Sequence, residues 1–176
     1  MEQLKLTRPS AKYLDQISAY RQEFLAQAGS MDGCGSLRTM EAAAWLGQVE
    51  QLSRPETTPE GWVPSTQFLY IRESDGRLVG MIQIRHWFND RLRQFGGHIG
   101  YSVRPSERRK GYGTRMLRDC LPHCRPLGLE RVLITCRDTN EGSRKIILAN
   151  GGVYANTVFD PENGENFERY WISVTA

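Results

Sequence analysis

Two runs of strand-forming residues, QFLYIRE (67–73) and LVGMIQIRHWF (78–88), flank the tripeptide Ser74-Asp75-Gly76. The Asp-Gly pair reads as a tight hairpin turn. Both runs are apolar on consecutive residues rather than on alternate ones, so both faces of the resulting sheet must be covered. Helices are the elements that can do this, and a chain of 176 residues is long enough to supply them around one core. The expectation is a layered fold of sheet and helices.

The rest of the chain supplies the covering elements. Residues 2–8 read as a first strand. Pro9-Ser10 opens a helix that carries Tyr13, Leu14, Ile17, Tyr20, Phe24 and Leu25 on one face. The glycine-rich GSMDGCGSLR (29–38) reads as a mobile loop, and Thr39 as the N-cap of a second helix bearing Trp45, Val49 and Leu52. After the proline-bearing connector SRPETTPEGWVPS and the hairpin, FGGHIGYSV (95–103) forms a third strand of the meander. A helix follows from about Tyr112, with Met116, Leu117, Cys120, Leu121 and Cys124 at helical spacing. Pro122 would clash with the carbonyl of Arg118, so the helix should kink or stop there. RVLITC (131–136) is a strand, DTNEGSRKIILANGG (138–152) a short helix stopped at Gly151, and two last strands enclose the turn DPENGEN. The order β-α-α-β-β-β-α-β-α-β-β predicts an α/β (α+β) fold in one domain over residues 1–176. Its sheet is mixed, mostly antiparallel and six- to seven-stranded, with helices on both faces.

Charge and cysteine usage narrow the function. The net charge of +3 is too small to imply a nucleic-acid partner, and no apolar stretch approaches the roughly 20 residues that span a bilayer. The N-terminal MEQLKLTRPS has no basic start followed by an apolar block, so it does not read as a signal peptide. Cys34, Cys120, Cys124 and Cys136 fit neither a disulfide framework nor a paired CxxC metal site, so no metal is expected and the reduced thiols suit the cytoplasm. Locally the charge is uneven. Arg104, Arg108, Arg109, Lys110, Arg115 and Arg118 oppose only Glu107, whereas Asp160, Glu162, Glu165 and Glu168 form an acidic stretch without a cation. Such fields can place an anion at one point and a cation at another.

The basic segment contains RRKGYG (108–113), cations running into Gly-x-Gly at the mouth of a helix. Glycines let successive N–H groups approach one anion, and a helix N-terminus favours negative charge. A dinucleotide fingerprint needs a third glycine where Met116 stands, and a P-loop needs its lysine after the last glycine, whereas Lys110 precedes Gly111. From the residues alone, an anion cradle and a helix that merely starts at a glycine turn stay equally open.

The flanks of the loop add a resemblance. VRPSERRKGYGTRM (103–116) is similar to the acyl-CoA loop of the GNAT superfamily of N-acetyltransferases, whose pattern is R/Q-x-x-G-x-G/A after a strand ending in Val-x-Pro. Arg108, Gly111 and Gly113 fill the three defining positions, and Val103-Arg104-Pro105 stands at the strand end. Asn140 opens the short helix after RVLITC, where this superfamily also has an asparagine. The chain most resembles a group of uncharacterised bacterial acetyltransferases. The resemblance implies acetyl-CoA as donor. It implies that the backbone from Arg109 through Lys110, Gly111, Tyr112 and Gly113 to Thr114 cradles the pyrophosphate, with charge from Arg108, Arg109 and Lys110. The Val103 N–H would bind the thioester carbonyl, Asn140 and Ser143 would lie beside CoA, and the strands at Val103 and RVLITC would splay to admit pantetheine.

The sequence departs from the superfamily at two catalytic places. Many members carry a tyrosine seven residues after the asparagine, where Ile147 stands, and several carry a glutamate or histidine six residues before the Val103 position, where Gly97 stands. Replacement candidates for acid and base are His98, Tyr101 and His86, with Tyr154 behind them. Strand parity turns His98 away from the Tyr101 and Val103 face unless Gly96-Gly97 forms a bulge. Trp62, Trp87, Tyr170 and Trp171 are candidates for an acceptor pocket, and core packing serves them equally. The expected reaction is direct attack of an amine on acetyl-CoA in a ternary complex, and the acidic turn DPENGEN favours a cationic acceptor. A non-catalytic acyl-CoA sensor is the rival expectation. Oligomeric state, a homodimer included, is not legible in the residues.

Overall fold

The computed structural model describes residues 1–174. The hairpin at its centre is β2 (Ser65–Arg72) and β3 (Arg77–Arg85), joined through a turn closed by Gly76 N–H donating to the Arg72 carbonyl at 2.9 Å. β1 (Leu4–Thr7) and β4 (Ile99–Val103) flank it, giving an antiparallel sheet in the order β1-β2-β3-β4. A second antiparallel sheet has the order β5-β7-β6, from β5 (Arg131–Arg137), β6 (Val153–Asp160) and β7 (Glu165–Ser173). The expected strands are therefore present, but they divide into sheets of four and three rather than one continuous ladder.

The two-sided apolar pattern of β3 finds a core on each face. Val79, Ile82 and Ile84 pack with Met116, Leu117 and Ile147 under α3 (Tyr112–Cys120) and α4 (Glu141–Ala149). Leu78 and Met81 pack with Ile17, Tyr20, Phe24 and Trp45 under α1 (Leu14–Leu25) and α2 (Ala42–Leu52). Tyr20 also ties α1 to β4, its hydroxyl 2.8 Å from Ser102 Oγ.

Local chemistry explains most element ends. Pro122 converts the end of α3 into a 3-10 segment, Leu121–Leu127, because the ring blocks the i−4 carbonyl. Gly151 leaves α4 in the left-handed region at φ 83°, as a helix stop requires. One expectation fails: Thr39 does not cap α2. Its hydroxyl donates to the Ser36 carbonyl in the preceding turn, and Glu41, extended at φ −66° and ψ 152°, is the N-cap residue. Of the helix face expected on α1, Leu25 is 40% exposed, since the helix ends there.

Before β4 the chain makes a single π-helical turn, Leu92–Gly96. Gly97 then takes φ 68°, and a Cβ there would sit 2.5 Å from the Leu133 carbonyl oxygen of β5. The close approach of the two strands thus excludes any side chain at this position. The missing glutamate or histidine at Gly97 is a consequence of how β4 meets β5.

Candidate active site

The two sheets touch at one point and then part. The His98 N–H donates to the Leu133 carbonyl at 2.8 Å, and the Leu133 N–H donates back to His98 Nδ1 at 2.9 Å. Thr135 Oγ1 donates to the Phe95 carbonyl at 2.5 Å beside them. Beyond this junction β4 and β5 share no ladder. Arg85 N–H bonds the His98 carbonyl and Arg104 N–H bonds the Val79 carbonyl, so by antiparallel alternation Gly100 and Ser102 direct their amides at β3. The amides of Ile99, Tyr101 and Val103 consequently face the gap, over about 13 Å of strand. A cleft of about 1010 Å³ opens along them.

One end of the cleft gathers two arginines and the first turn of a helix. Gly111, at φ 79°, caps α3, and the first helical bond is Arg115 N–H to the Gly111 carbonyl, which leaves the amides of the first turn without an i−4 acceptor. Among the described residues nothing lies within 4 Å of where a Gly111 Cβ would be, and Gly111, Gly113 and Thr114 all line the cleft. Gly113 has a different role: a Cβ there would meet Ile146 Cδ1 at 2.5 Å, so this glycine lets α3 lie close on α4. Arg108 lines the cleft, donates from Nε to the Val103 carbonyl at 3.3 Å, and stacks over Phe24 at 5.6 Å. Arg109 lines it too, at φ 61°. This donor set suits a diphosphate.

Lys110 does not join it. Its Nζ is bound to Glu107 Oε2 at 2.8 Å, and the side chain lies outside the cleft lining. Glu107, 4% exposed, also receives Arg72 at 2.9 Å and Arg77 at 2.6 Å. Arg104 is likewise structural, buried with Glu23 at 2.9 Å. Of the basic cluster, three members feed the fold's own carboxylates, Arg118 through Asp119 at 3.1 Å being the third.

The middle of the cleft is crossed by one polar pair. Tyr101 Oη lies 2.7 Å from Ser143 Oγ, and Ser143 is held by its N–H donating to Asn140 Oδ1 at 3.0 Å, the N-cap of α4. Burial pushes the Tyr101 hydroxyl well above the ordinary phenol range, so it keeps its proton. The Cys136 thiol also lines the cleft and is pushed up to about 11 by burial. It is a neutral neighbour rather than a nucleophile.

Neither histidine candidate reaches the gap. His98 Nδ1 is committed to the Leu133 amide, its ring packs 4.0 Å from Phe88, and burial together with the nearby Arg85 charge lowers it to about 4. With one nitrogen accepting a backbone proton, His98 fastens the strands and has no free lone pair in the cleft. His86 Nε2 lies 2.8 Å from Thr66 Oγ1, outside the cleft lining. Tyr154 is exposed on β6, with its hydroxyl on Thr157 at 2.7 Å. Ile147 is fully buried in the core. None of Trp62, Trp87, Tyr170 or Trp171 lines the cleft. The acidic turn is neutralised from within: Arg91 pairs with Asp160 at 2.7 Å and Glu162 at 3.2 Å, and Arg137 with Glu165 at 2.8 Å.

Two cleft residues had no signature in the sequence, Asp32 and Arg85. Asp32 sits in the glycine loop after α1, its carboxylate accepting from Ser30 Oγ at 2.9 Å. A lone aspartate among glycines carries no periodicity, and Arg85 looks like the ordinary polar end of a strand.

A sheet opened beside a helix turn, with strand amides facing the gap, is the architecture of an acetyltransferase of mixed α/β fold. The chain belongs to the acetyltransferase (GNAT) family, whose model matches residues 36–151. No curated protein matches it in sequence. Solved structures share the fold at low identity. A ribosomal-protein-S5-alanine acetyltransferase from Vibrio fischeri is 16% identical with a TM-score of 0.71, covering 98% of this chain and 94% of that one. RimJ from Mycobacterium smegmatis, solved with a CoA-disulfide, is 20% identical with a TM-score of 0.69, covering 97% and 81%. A spermidine N-acetyltransferase chimera from Vibrio cholerae and hSSAT is 13% identical with a TM-score of 0.66, covering 98% and 96%.

Proposed function

We propose that this chain transfers the acetyl group of acetyl-CoA to a primary amine, by direct attack in a ternary complex. The observation that carries the reading is the line of inward-facing amides at Ile99, Tyr101 and Val103, ending at the unsatisfied first turn of α3. A pantetheine arm is itself an amide chain and matches a strand edge; its pyrophosphate matches the helix turn. Arg108 and Arg109 supply charge there, while Lys110 acts on the loop through Glu107. The relatives solved with CoA support the choice of donor.

In this reading the Val103 amide donates to the thioester oxygen as negative charge develops on it, a gain made mainly in the transition state. Tyr101, neutral and oriented by Ser143, donates its proton to the departing thiolate. The amine must attack in its neutral form, and a lysine-like amine is only about one part in a thousand neutral near pH 7. Asp32, on the opposite rim, takes up that proton directly or through water. His98 and His86 have no role in the chemistry. The chain acts as one acetyltransferase domain, with residues 66–171 holding the donor.

The test is thiol release from acetyl-CoA over a panel of amines, with the acetylated product identified by mass. Tight CoA binding without turnover on any amine would replace this reading with an acyl-CoA sensor. That rival draws on Ile147 and Gly97, which stand at the two familiar catalytic places.

A further inference from the structure

The two rims of the cleft differ in their unpaired charge. Tyr101, Ser143 and the first turn of α3 form one rim. On the other, beneath the loop after α1, stand Ser30, Asp32, Gly100 and Arg85. Arg91 and Arg137 are neutralised by the acids of the β6–β7 turn, and Lys145 pairs with Glu141 at 3.0 Å. Arg85 makes no ion pair among the described residues. Its Nε donates to Gln83 Oε1 at 3.3 Å, and its Nη1 donates to the carbonyls of Gly96 at 2.9 Å and Gly97 at 3.4 Å. These bonds fix the guanidinium in place. Nη2 donates to no atom of the described residues and occupies the space beside Gly100, 2.7 Å from where a Cβ would be. Burial opposes the charge, and Asp32 compensates it only from beyond ion-pair distance. A fixed, partly desolvated guanidinium with one free edge is completed by an anion.

We propose that Arg85 is a specificity residue that reads a carboxylate on the acceptor, making the acceptor an amino-acid-type amine. The inference rests on the acetyl-transfer reading and names its substrate class. Nη2 sits at Gly100, three residues and roughly 10 Å of strand from the Val103 amide that would hold the thioester oxygen, so one small amino acid, α or longer, can span from the guanidinium to the acetyl carbon. Asp32 lines the same cleft and supplies a negative charge for the amine end. A polyamine would meet the unpaired guanidinium without gaining a field from the acidic turn, whose charges are already taken. The expected acceptor is therefore zwitterionic rather than cationic.

The experiment compares free amino acids with their C-terminal carboxamides in the thiol-release assay, alongside spermidine. Each acid should exceed its amide in kcat/KM by about tenfold or more, the scale of one charge-assisted hydrogen bond. In Arg85→Gln the acid-to-amide ratio should fall to about one, through a higher KM for the acids. Arg85→Lys, which keeps the charge but not the fork, should retain part of the ratio and carries the comparison if the glutamine variant fails to fold. CoA affinity serves as the folding control for both. A ratio near one in the natural protein, a ratio that survives in Arg85→Gln, or turnover confined to carboxamides or spermidine overturns the proposal while leaving acetyl transfer in place. Calorimetry of the same acids against the CoA-bound protein separates the two readings. Binding that depends on Arg85 but gives no turnover keeps the carboxylate site and overturns acetyl transfer, whereas acids that neither bind nor react overturn the site.

Discussion

At the scale of single residues, burial and hydrogen bonding divide the titratable groups into structural and reactive ones. His98 is a fastener. Burial, and then the Arg85 charge, lower it to about 4 in the folded chain from its ordinary 6.5. The unfolded chain binds that proton more tightly, so stability is complete above pH ~6.5 and is withdrawn as pH falls towards 4. A melting-temperature series from pH 7.5 to 4 should show this decline, and it should flatten in His98→Asn. That variant should also be less stable by about 1–3 kcal/mol near pH 7, because it disturbs the acceptor of the buried Leu133 amide. Tyr101, the proton donor we propose, is the opposite case. Tyr101→Phe keeps the ring and loses the hydroxyl that meets Ser143 at 2.7 Å. Turnover should fall by about 10²-fold with KM for acetyl-CoA little changed. An unaltered kcat would remove Tyr101 from the chemistry.

At the scale of elements, the two glycines of RRKGYG answer to different forces. Gly111 supplies a left-handed cap with open space before it, so Gly111→Asp places a negative charge where an anion should bind. Calorimetry should show CoA affinity falling at least about tenfold, with a stability cost near 1 kcal/mol for a left-handed non-glycine residue. Gly113→Ala instead pushes against the Cδ1 end of Ile146, which must turn aside in a space already bounded by Val103 Cγ2 at 3.4 Å. It should lower stability by about 1–3 kcal/mol, measured by urea unfolding, and CoA affinity should drop as a secondary effect. Equal effects of the two substitutions on stability would contradict the division.

At the scale of the whole molecule, Glu107 joins the central hairpin to the basic loop, since Arg72 and Arg77 come from β2 and β3 and Lys110 from the loop itself. Burial raises the Glu107 carboxyl, but the bonds from Lys110 and Arg72 outweigh it and hold it below its ordinary value. Its contribution is therefore present at neutral pH and lost as pH falls through the folded value. Glu107→Gln should cost about 1–3 kcal/mol, because it removes the charge that Arg72, Arg77 and Lys110 share while Asp75 still holds Arg72 at 2.6 Å, and should weaken CoA binding by loosening the loop. Chemical denaturation and calorimetry on one variant check both effects. A variant as stable as the natural chain would show that Asp75, Glu2 and solvent, not Glu107, balance those arginines.

Legible in the residues alone were the element order, the two-sided burial of the β2–β3 hairpin, the break of the helix at Pro122 and the glycine turn that opens α3. Each rests on local chemistry: a period of apolar residues, a missing N–H, or a required positive φ. What only the tertiary structure decided was the company each side chain keeps. Strand parity could not foresee that His98 would turn its Nδ1 to the Leu133 amide of a different sheet. Composition could not foresee that Lys110 and the acids of the β6–β7 turn would be taken up by partners within the chain. Nor could it separate Arg85, left with one open guanidinium edge, from the paired arginines around it. Charge and hydrogen bonding act through space between residues distant in sequence, so they become readable only once the chain has folded.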